Sequence, residues 1–249
     1  MNLALIGYGK MGREIERLAS SRGHTVVAAV DVGTPRPTAE AMRSAEVAIH
    51  FASAATLIDD LRPWAANGTH LVVGTTGWND RQEAVRALAA EHAIGLVHSA
   101  NFSLGVWLFL QLVREAARAA EHFPEYDVAV HEIHHTAKAD SPSGTALILG
   151  NAVLGELSRK KELLTRLPDG PVRPEQLVVS SARLGSVVGT HTVTLDAPAD
   201  AIEITHAAKN RSGLALGALR AAEWIRGRKG FYGMDELFEG LRAQGATTP

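Results

Sequence analysis

Cysteine is absent from the 249-residue chain, which excludes disulfides, thiolate metal sites and a cysteine nucleophile. A chain without cysteine suits a reducing compartment, and a cytoplasmic protein is the expectation. Neither sign of charge is in excess: 25 Lys and Arg stand against 27 Asp and Glu, a net −2. No long-range field then draws the protein to nucleic acid or to an anionic membrane, so neither is an expected partner and a charged ligand has to be met locally. Long apolar runs are missing too. The longest uncharged stretch, Ala93–Val113, is interrupted by His98, Ser99, Asn101, Ser103 and Gly105, which a membrane span does not tolerate. The first residues, Met1–Gly7, have neither the basic start nor the length of a secretion signal and read as structure. There is no internal repeat or low-complexity segment, and Leu167–Pro174 is the only loop rich in Pro and Gly.

What is present is an ordinary globular composition, 46% apolar with 23 Gly and 10 Pro. The length exceeds one core of ~100–200 residues, so two domains or one large α/β unit is the starting point. In the first half, apolar β-branched runs (Leu3–Ile6, Thr25–Val30, Val47–Phe51, Leu71–Gly74, Gly95–Val97) alternate with helical patterns (Met11–Ser21, Leu57–Ala66, Gln82–Ala90). Continuous apolar strands between amphipathic helices predict a parallel sheet covered on both faces. Near residue 125 the pattern changes. Tyr126–Ile133, Leu177–Leu184, Thr190–Asp196 and Ala201–Thr205 alternate apolar and polar residues, as strands of a mixed or antiparallel sheet do. Leu214–Arg226 returns to helical spacing and is expected to pack back on the first domain. The fold class is therefore α/β, a Rossmann-type parallel sheet plus a second sheet of mixed or antiparallel strands.

Gly7-Tyr8-Gly9-Lys10-Met11-Gly12 has the spacing G-x-G-x-x-G after a strand and before a helix, where glycine permits a tight turn and backbone N–H groups meet a pyrophosphate. Asp31 ends the second strand 19 residues after Gly12, where an acid accepts the ribose hydroxyls of NAD and repels a 2′-phosphate. Lys10, Arg13 and Arg36 lie nearby and offset that repulsion, so the expected cofactor is NADH or NADPH with NADH favoured. Two more loops follow strands, Gly74-Thr75-Thr76-Gly77 and Ser99-Ala100-Asn101-Phe102, and ligands of doubly wound sheets sit beyond such strand ends. Both are expected to line the cofactor.

Three of the 11 histidines fall within His131-Glu132-Ile133-His134-His135. Read by letters, His131-Glu132-x-x-His135 is a zinc-hydrolase signature, but that signature needs a helix. Four residues of strand at ~3.3 Å each separate the two imidazoles by about 13 Å, so no metal site is expected. Downstream, Ser141 suits an N-cap and Pro142 the first helical position, leaving the N–H groups of Ser143, Gly144 and Thr145 as an anion site. With Lys138 on the preceding loop and an imidazole beside it, the group is suited to a carboxylate ligand.

The segment Glu132-Ile133-His134-His135-Thr136-Ala137-Lys138-Ala139-Asp140-Ser141-Pro142-Ser143-Gly144-Thr145-Ala146 resembles the dihydrodipicolinate reductase family's E-[IL]-H-H-x-x-K-x-D-[AS]-P-S-G-T-A. Similar stretches run through most of the chain, among them Asn101–Gly105, Arg183-Leu184-Gly185, Gly189-Thr190-His191, His206 with Arg211, and Gly230–Asp235. The resemblance implies a dinucleotide-binding domain of residues 1–102 and 213–249, a substrate-binding and oligomerisation domain of 103–212, and a homotetramer. It implies NAD(P)H-dependent reduction of 4-hydroxy-tetrahydrodipicolinate, a small dicarboxylate, in diaminopimelate and lysine biosynthesis. By similarity, His134 and Lys138 form the acid/base pair, His135 contacts substrate, and Gly144 and Thr145 hold one carboxylate. The chain departs from the family pattern at His50-Phe51, where Asp-Phe is usual, at Ala52–Ala55, which lacks a proline, at Leu214, where an aromatic is common, and in the short segment between Asp31 and Val47. Another nicotinamide-dependent imine or amino-acid dehydrogenase ranks second, since it has no need of His-His-x-x-Lys. A redox-sensing dinucleotide-binding protein ranks third, since it can dispense with Lys138 and the anion-binding helix start.

Overall fold

The structure, a computed structural model, describes residues 1–35 and 37–245, the last two by backbone alone; Arg36 lies outside the described residues. The chain divides into two compact units, Met1–Leu104 with the segment from Arg211 onward, and Gly105–Asn210.

In the first unit, β1 (Asn2–Ile6), α1 (Lys10–Ser21), β2 (Thr25–Val30), α2 (Ala39–Ser44), β3 (Val47–His50), α3 (Leu57–Ala66), β4 (His70–Val73), α4 (Gln82–Glu91) and β5 (Gly95–His98) follow in turn. The second unit contains α5 (Leu104–Ala120), β6 (Asp127–His134), α6 (Gly144–Glu156), β7 (Glu162–Leu164), β8 (Gln176–Arg183), β9 (Thr190–Asp196) and β10 (Ala201–Ala207). The chain then returns to the first unit with α7 (Ser212–Ile225), β11 (Gly230–Tyr232) and α8 (Met234–Gly245).

Sheet order in the first unit is β11-β5-β4-β3-β1-β2, every neighbouring pair parallel. Period-two alternation sends Leu3 and Leu5 of β1 to one face, against Ile15 and Ala19 of α1 and Ala218, Leu219, Ala222 and Ile225 of α7. Ala4 and Ile6 point to the other, against Leu57, Leu61 and Trp64 of α3 and Val85 and Leu88 of α4. Each fully buried Leu, Ile or Val contributes about 1.5–3 kcal/mol, so both faces hold the sheet. Strand order reverses between β1 and β3, and a doubly wound sheet opens its ligand crevice there, at the carboxyl ends.

The second sheet has the order β10-β9-β6-β8-β7; β6 pairs antiparallel with β9 and parallel with β8. Among the described residues, only one of its faces carries a core. Val128 and Val130 of β6, Leu177 and Val179 of β8 and Val193 and Leu195 of β9 meet Phe109, Val113 and Ala117 of α5 and Ala146, Leu149 and Val153 of α6. Ala129 and His131 alternate to the opposite, exposed face.

The expected α/β class is what the structure has, a parallel sheet followed by a mixed one. Strand ends differ by one residue at several places: β3 stops at His50 and β4 at Val73, one short of the expectation, while β6 continues to His134. Helices α2, α5 and α8 and the three-residue strands β7 and β11 were not expected. Short strands carry too few residues for a period, and α5 begins in the stretch whose polar interruptions argue against a membrane span.

Candidate active site

In the first unit the turn after β1 is set by backbone geometry. Gly7 has φ +93°, donates its N–H to the Val30 carbonyl at 2.8 Å, and leaves a Cβ no room: it would stand 2.3 Å from the Phe51 carbonyl oxygen. Gly9 is different. Its φ is −78° and a Cβ would meet nothing within 4 Å, so the fold itself does not require glycine there. Helix α1 starts on the next residue with no side-chain cap, so its first-turn N–H groups face the space that the missing Cβ leaves. Asp31, exposed at the end of β2, accepts the Tyr8 N–H at 3.2 Å and so lies beside this turn. An uncapped helix start, room at Gly9 and an acid at the end of β2 fit a dinucleotide. Lys10 and Arg13 are exposed on the first turn of α1, Arg13 over the Tyr8 ring at 5.9 Å, while Met11 packs partly into the core.

The two further loops are tied internally. His50 is fully buried; its Nε2 lies 3.2 Å from Asp60 and its Nδ1 2.7 Å from the Thr75 hydroxyl. With the carboxylate on Nε2, that nitrogen carries the proton, and Thr75 donates to Nδ1 while accepting the Ala52 N–H at 3.1 Å. The Thr75 side chain is therefore occupied by the fold. Gly74 is buried beneath Phe51, and Thr76 and Gly77 are exposed. After β5, Ser99 Oγ accepts the Asn101 N–H at 3.0 Å, Asn101 Oδ1 accepts the Ser103 N–H at 2.9 Å, and Ala100 is exposed. Phe102 is 1% exposed and its ring belongs to the core, so only its backbone is available to a ligand.

In the second unit the alternation of β6 turns Glu132 and His134 toward the face that α5 and α6 cover. Glu132 is completely buried. One carboxylate oxygen, Oε1, accepts the Ser143 N–H at 2.9 Å and the Ser181 hydroxyl at 2.8 Å, with Arg183 Nη2 at 3.3 Å. The other, Oε2, lies 3.2 Å from His134 Nδ1 and 3.4 Å from His191 Nε2. The two imidazoles stand edge to face, centroids 5.0 Å apart, and His191 Nε2 is also 3.3 Å from the Ser143 hydroxyl. Lys138 pairs with Asp140 at 2.7 Å, and Arg183 staples their loop through the Asp140 and Lys138 carbonyls. His135 is half-buried in the turn that follows β6, its carbonyl accepting the Lys138 N–H.

The structure departs from expectation at several points in this segment. The N-cap of α6 is Ser143, not Ser141: its hydroxyl accepts the Ala146 N–H and the helix begins at Gly144. Ser141–Pro142 is a cis peptide ahead of the helix rather than its first turn. The Ser143 N–H is consumed by Glu132, so the helix start that faces outward is Gly144, exposed and with nothing within 4 Å of a Cβ. Lys138 is also not a lone cation, since Asp140 answers it. The His134 imidazole does not titrate near its ordinary value: burial pushes it down, Glu132 pulls it up, and Lys138 and Arg183 push it down again.

Sequence reasoning gave no role to Glu132, Asp140, Ser181, Arg183 or His191. The i, i+2 spacing of Glu132 and His134 on a strand carries the only local signal; Arg183 and His191 come from other strands. The expectation of no metal rested on His131 and His135, which do sit apart, His131 Nδ1 being 2.8 Å from Ser180 on the exposed face. A different trio, Glu132, His134 and His191, brings one ligand atom each within 4.8 Å of the others. The Arg183 guanidinium already supplies a countercharge to Glu132 there.

His134 is one of six histidines whose pKa burial depresses: His50, His70 and His98 in the first unit, His134, His191 and His206 in the second. His191 falls furthest, from 6.5 to about 4, through burial and then the neighbouring His134. Between the unfolded and folded values the unfolded chain holds more protons, so stability is full above about pH 7 and is lost as pH falls toward 4. His191 alone accounts for about 3 kcal/mol of that loss, at 1.36 kcal/mol per unit. Melting temperature measured from pH 7.5 down to 5 should fall steadily; a flat profile contradicts the burial of these rings.

Comparison with known proteins gives a consistent match. The family model described as dihydrodipicolinate reductase, N-terminus, matches residues 1–102, and that described as dihydrodipicolinate reductase, C-terminus, matches residues 105–238. The 4-hydroxy-tetrahydrodipicolinate reductase of Christiangramia forsetii is 34% identical across 97% of this chain and 99% of its own. That of Myxococcus xanthus is 42% identical across 74% of this chain and 68% of its own. In fold, the chain is similar to a dipicolinate-bound dihydrodipicolinate reductase from Paenisporosarcina sp. TG-14, with a TM-score of 0.72, 19% identity, and coverage of 94% of this chain and 97% of that one.

Proposed function

The chain belongs to the dihydrodipicolinate reductase family, and from that premise we propose that it reduces 4-hydroxy-tetrahydrodipicolinate to tetrahydrodipicolinate with NADH or NADPH, a step toward diaminopimelate and lysine. The observation that carries the site assignment is the grouping, within one unit, of an imidazole and the start of α6 about a single buried carboxylate, to which Arg183 ties the lysine loop. Once the 4-hydroxyl has left as water, the ring holds a conjugated C=C–C=N system, to which a nicotinamide bound at the first unit would supply a hydride. The electron-rich carbon left by that addition takes up a proton, and we assign its delivery to His134 with Lys138. Lys138 also offers charge to a carboxylate, held in place by Asp140, while His135 and the helix start at Gly144 and Thr145 form the remaining substrate contacts. We assign cofactor binding to Gly7, Tyr8, Gly9, Lys10, Met11, Gly12 and Asp31, and to the loops at Gly74–Thr76 and Ser99–Phe102, the last through backbone. The proposed setting is the cytoplasm and the proposed assembly a homotetramer.

Two measurements test the assignment. Gly144→Pro removes one N–H from the first position of α6, where proline fits the helix and Ser143, with ψ 158°, already has the conformation that precedes a proline. Pyridine-2,6-dicarboxylate should inhibit the wild type competitively with substrate, and the variant should bind it about tenfold more weakly with NADH affinity unchanged, the size of one charge-assisted hydrogen bond. Equal losses for both ligands would put the carboxylate site elsewhere. For the cofactor, the exposed Asp31 argues that kcat/KM with NADH is at least equal to that with NADPH. An NADPH preference above about tenfold would mean that Lys10 and its neighbours outweigh the carboxylate.

A further inference from the structure

The Glu132 carboxylate has its two oxygens divided between different tasks. Oε1 is saturated by Ser143, Ser181 and Arg183, from the N-cap of α6 and from β8. That fixes the carboxylate plane and leaves Oε2, buried and without a well-aligned hydrogen bond, facing two imidazole nitrogens at 3.2 and 3.4 Å. The nearer, His134 Nδ1, is likewise buried and lacks another partner. On the far side of the same ring, Nε2 sits 2.8 Å from where a Cβ on Gly189 would stand, so the absence of a side chain there lets the ring occupy this place. Hydrogen bonds of catalytic groups are often long before ligands bind and tighten afterwards.

Building on the reading of His134 as an acid/base group, we propose that Glu132 and His191 are positioning residues: Glu132 Oε2 holds the proton of His134 on Nδ1, so that Nε2 is the nitrogen that exchanges protons with substrate, and His191 shares Oε2 and limits how strongly it acts. A carboxylate accepts only, so a neutral His134 against it must carry its proton on Nδ1. When His134 gains a second proton, the same oxygen stabilises the imidazolium. His191 also presents a nitrogen to Oε2, and as a neutral N–H donor it withdraws part of that stabilisation. The other charged groups facing His134 are Lys138 and Asp140 on the loop and Arg183 on β8; His206 on β10 faces His191; α6 contributes Ser143 and no titratable group at this point.

The test is the ¹⁵N-histidine NMR spectrum of the whole protein, with the His134 signals assigned by their loss in His134→Gln. In the wild type, neutral His134 should show an Nδ1–H tautomer. Glu132→Gln keeps an acceptor for Ser143 and Ser181 but presents an amide N–H₂ to His134, so the tautomer should switch to Nε2–H and kcat should fall by about 10²-fold or more while KM changes a few-fold. A wrong-tautomer variant of the serine protease triad loses about 10⁴-fold in kcat, so about 10²-fold is the lower bound. Glu132→Asp keeps the carboxylate and should retain the Nδ1–H form with intermediate turnover. The His134 titration midpoint should move down in Glu132→Gln and up in His191→Phe, each by about one pH unit; a merely structural role moves neither, or both the same way. An Nε2–H tautomer in the wild type overturns the proposal, as does one equivalent of tightly bound metal in the purified protein, because Oε2 would then belong to the ion. If Glu132→Gln does not fold, judged by melting and NADH binding, the wild-type tautomer and Glu132→Asp still decide between the two outcomes. The spectrum needs no substrate, so a chain without reductase activity would refute the functional reading and leave the tautomer to be judged separately.

Discussion

Replacing His134 by Gln, or Lys138 by Ala, is expected to lower kcat by about 10²-fold or more, the range for a general acid–base group. Neither change should disturb the fold by much. The Lys138–Asp140 pair has an exposed carboxylate, and exposed pairs contribute roughly 0–1 kcal/mol. Gln at 134 keeps a polar group against Glu132. Lys138→Arg makes the test sharper: a guanidinium retains the charge and can still meet Asp140, but it does not give up a proton at working pH. If Lys138 only attracts a carboxylate, Arg restores turnover; if Lys138 donates the proton, it restores substrate binding and not kcat. Steady-state kinetics at saturating cofactor, with melting curves alongside, separates the two. Near-normal turnover in both His134→Gln and Lys138→Ala would remove the acid/base assignment altogether.

The second large effect concerns the turn after β1, where two glycines two residues apart should fail in opposite ways. Gly9→Val introduces a side chain where nothing lies within 4 Å, at an ordinary φ of −78°, so melting temperature should stay within a degree or two of the wild type. The added methyls occupy the space against the start of α1, and the affinity for both NADH and NADPH should drop by about two orders of magnitude, because backbone approach to the pyrophosphate is lost. Gly7→Val meets the Phe51 carbonyl at 2.3 Å and a φ of +93°, and should lower stability steeply before any question of binding arises. Calorimetric titration and thermal melting of both variants check this. A Gly9→Val protein that binds cofactor normally would mean that the room at this turn serves no ligand.

These two regions also show what a sequence reveals without coordinates. The strand–turn–helix around Gly7–Gly12 is local: a short apolar run, three glycines and the first turn of α1 lie within about a dozen residues, so periodicity and turn chemistry suffice. The same holds for the alternation of β6, which put Val128, Val130 and Glu132 on one face of a strand rather than on a helix; His134 lay one residue past the expected strand end. The family resemblance reached the acid/base segment for the same reason, since its residues are contiguous. What stayed hidden depends on distant pairing. His191 joins His134 through the antiparallel register of β6 and β9, in which Glu132 stands opposite His191, and Arg183 through the parallel register of β6 and β8. No pattern within either strand names its neighbour. The N-cap was misplaced by two residues because Ser141-Pro142 and Ser143 both satisfy the usual preferences, and the choice follows from Glu132, a residue of another element, taking the Ser143 N–H. Phe102 is a loop residue, as expected, whose ring is nevertheless in the core, a burial decided by what covers it and not by its neighbours in sequence.

The first sheet gets its sixth strand and the helix over one of its faces from the last segment of the chain. During synthesis, Leu3, Leu5, Val47, Ile49, Val72 and Val97 leave the ribosome long before Ala218, Leu219, Ala222 and Ile225 exist to cover them. The inserted unit, Gly105–Asn210, is contiguous and has all its partners as soon as β10 emerges. The inserted unit therefore has its full set of elements in the emerging chain before the first unit does. Until α7 has been made, α1 is the helix that covers this face, so the core of the first unit is completed only after the whole insertion has been translated.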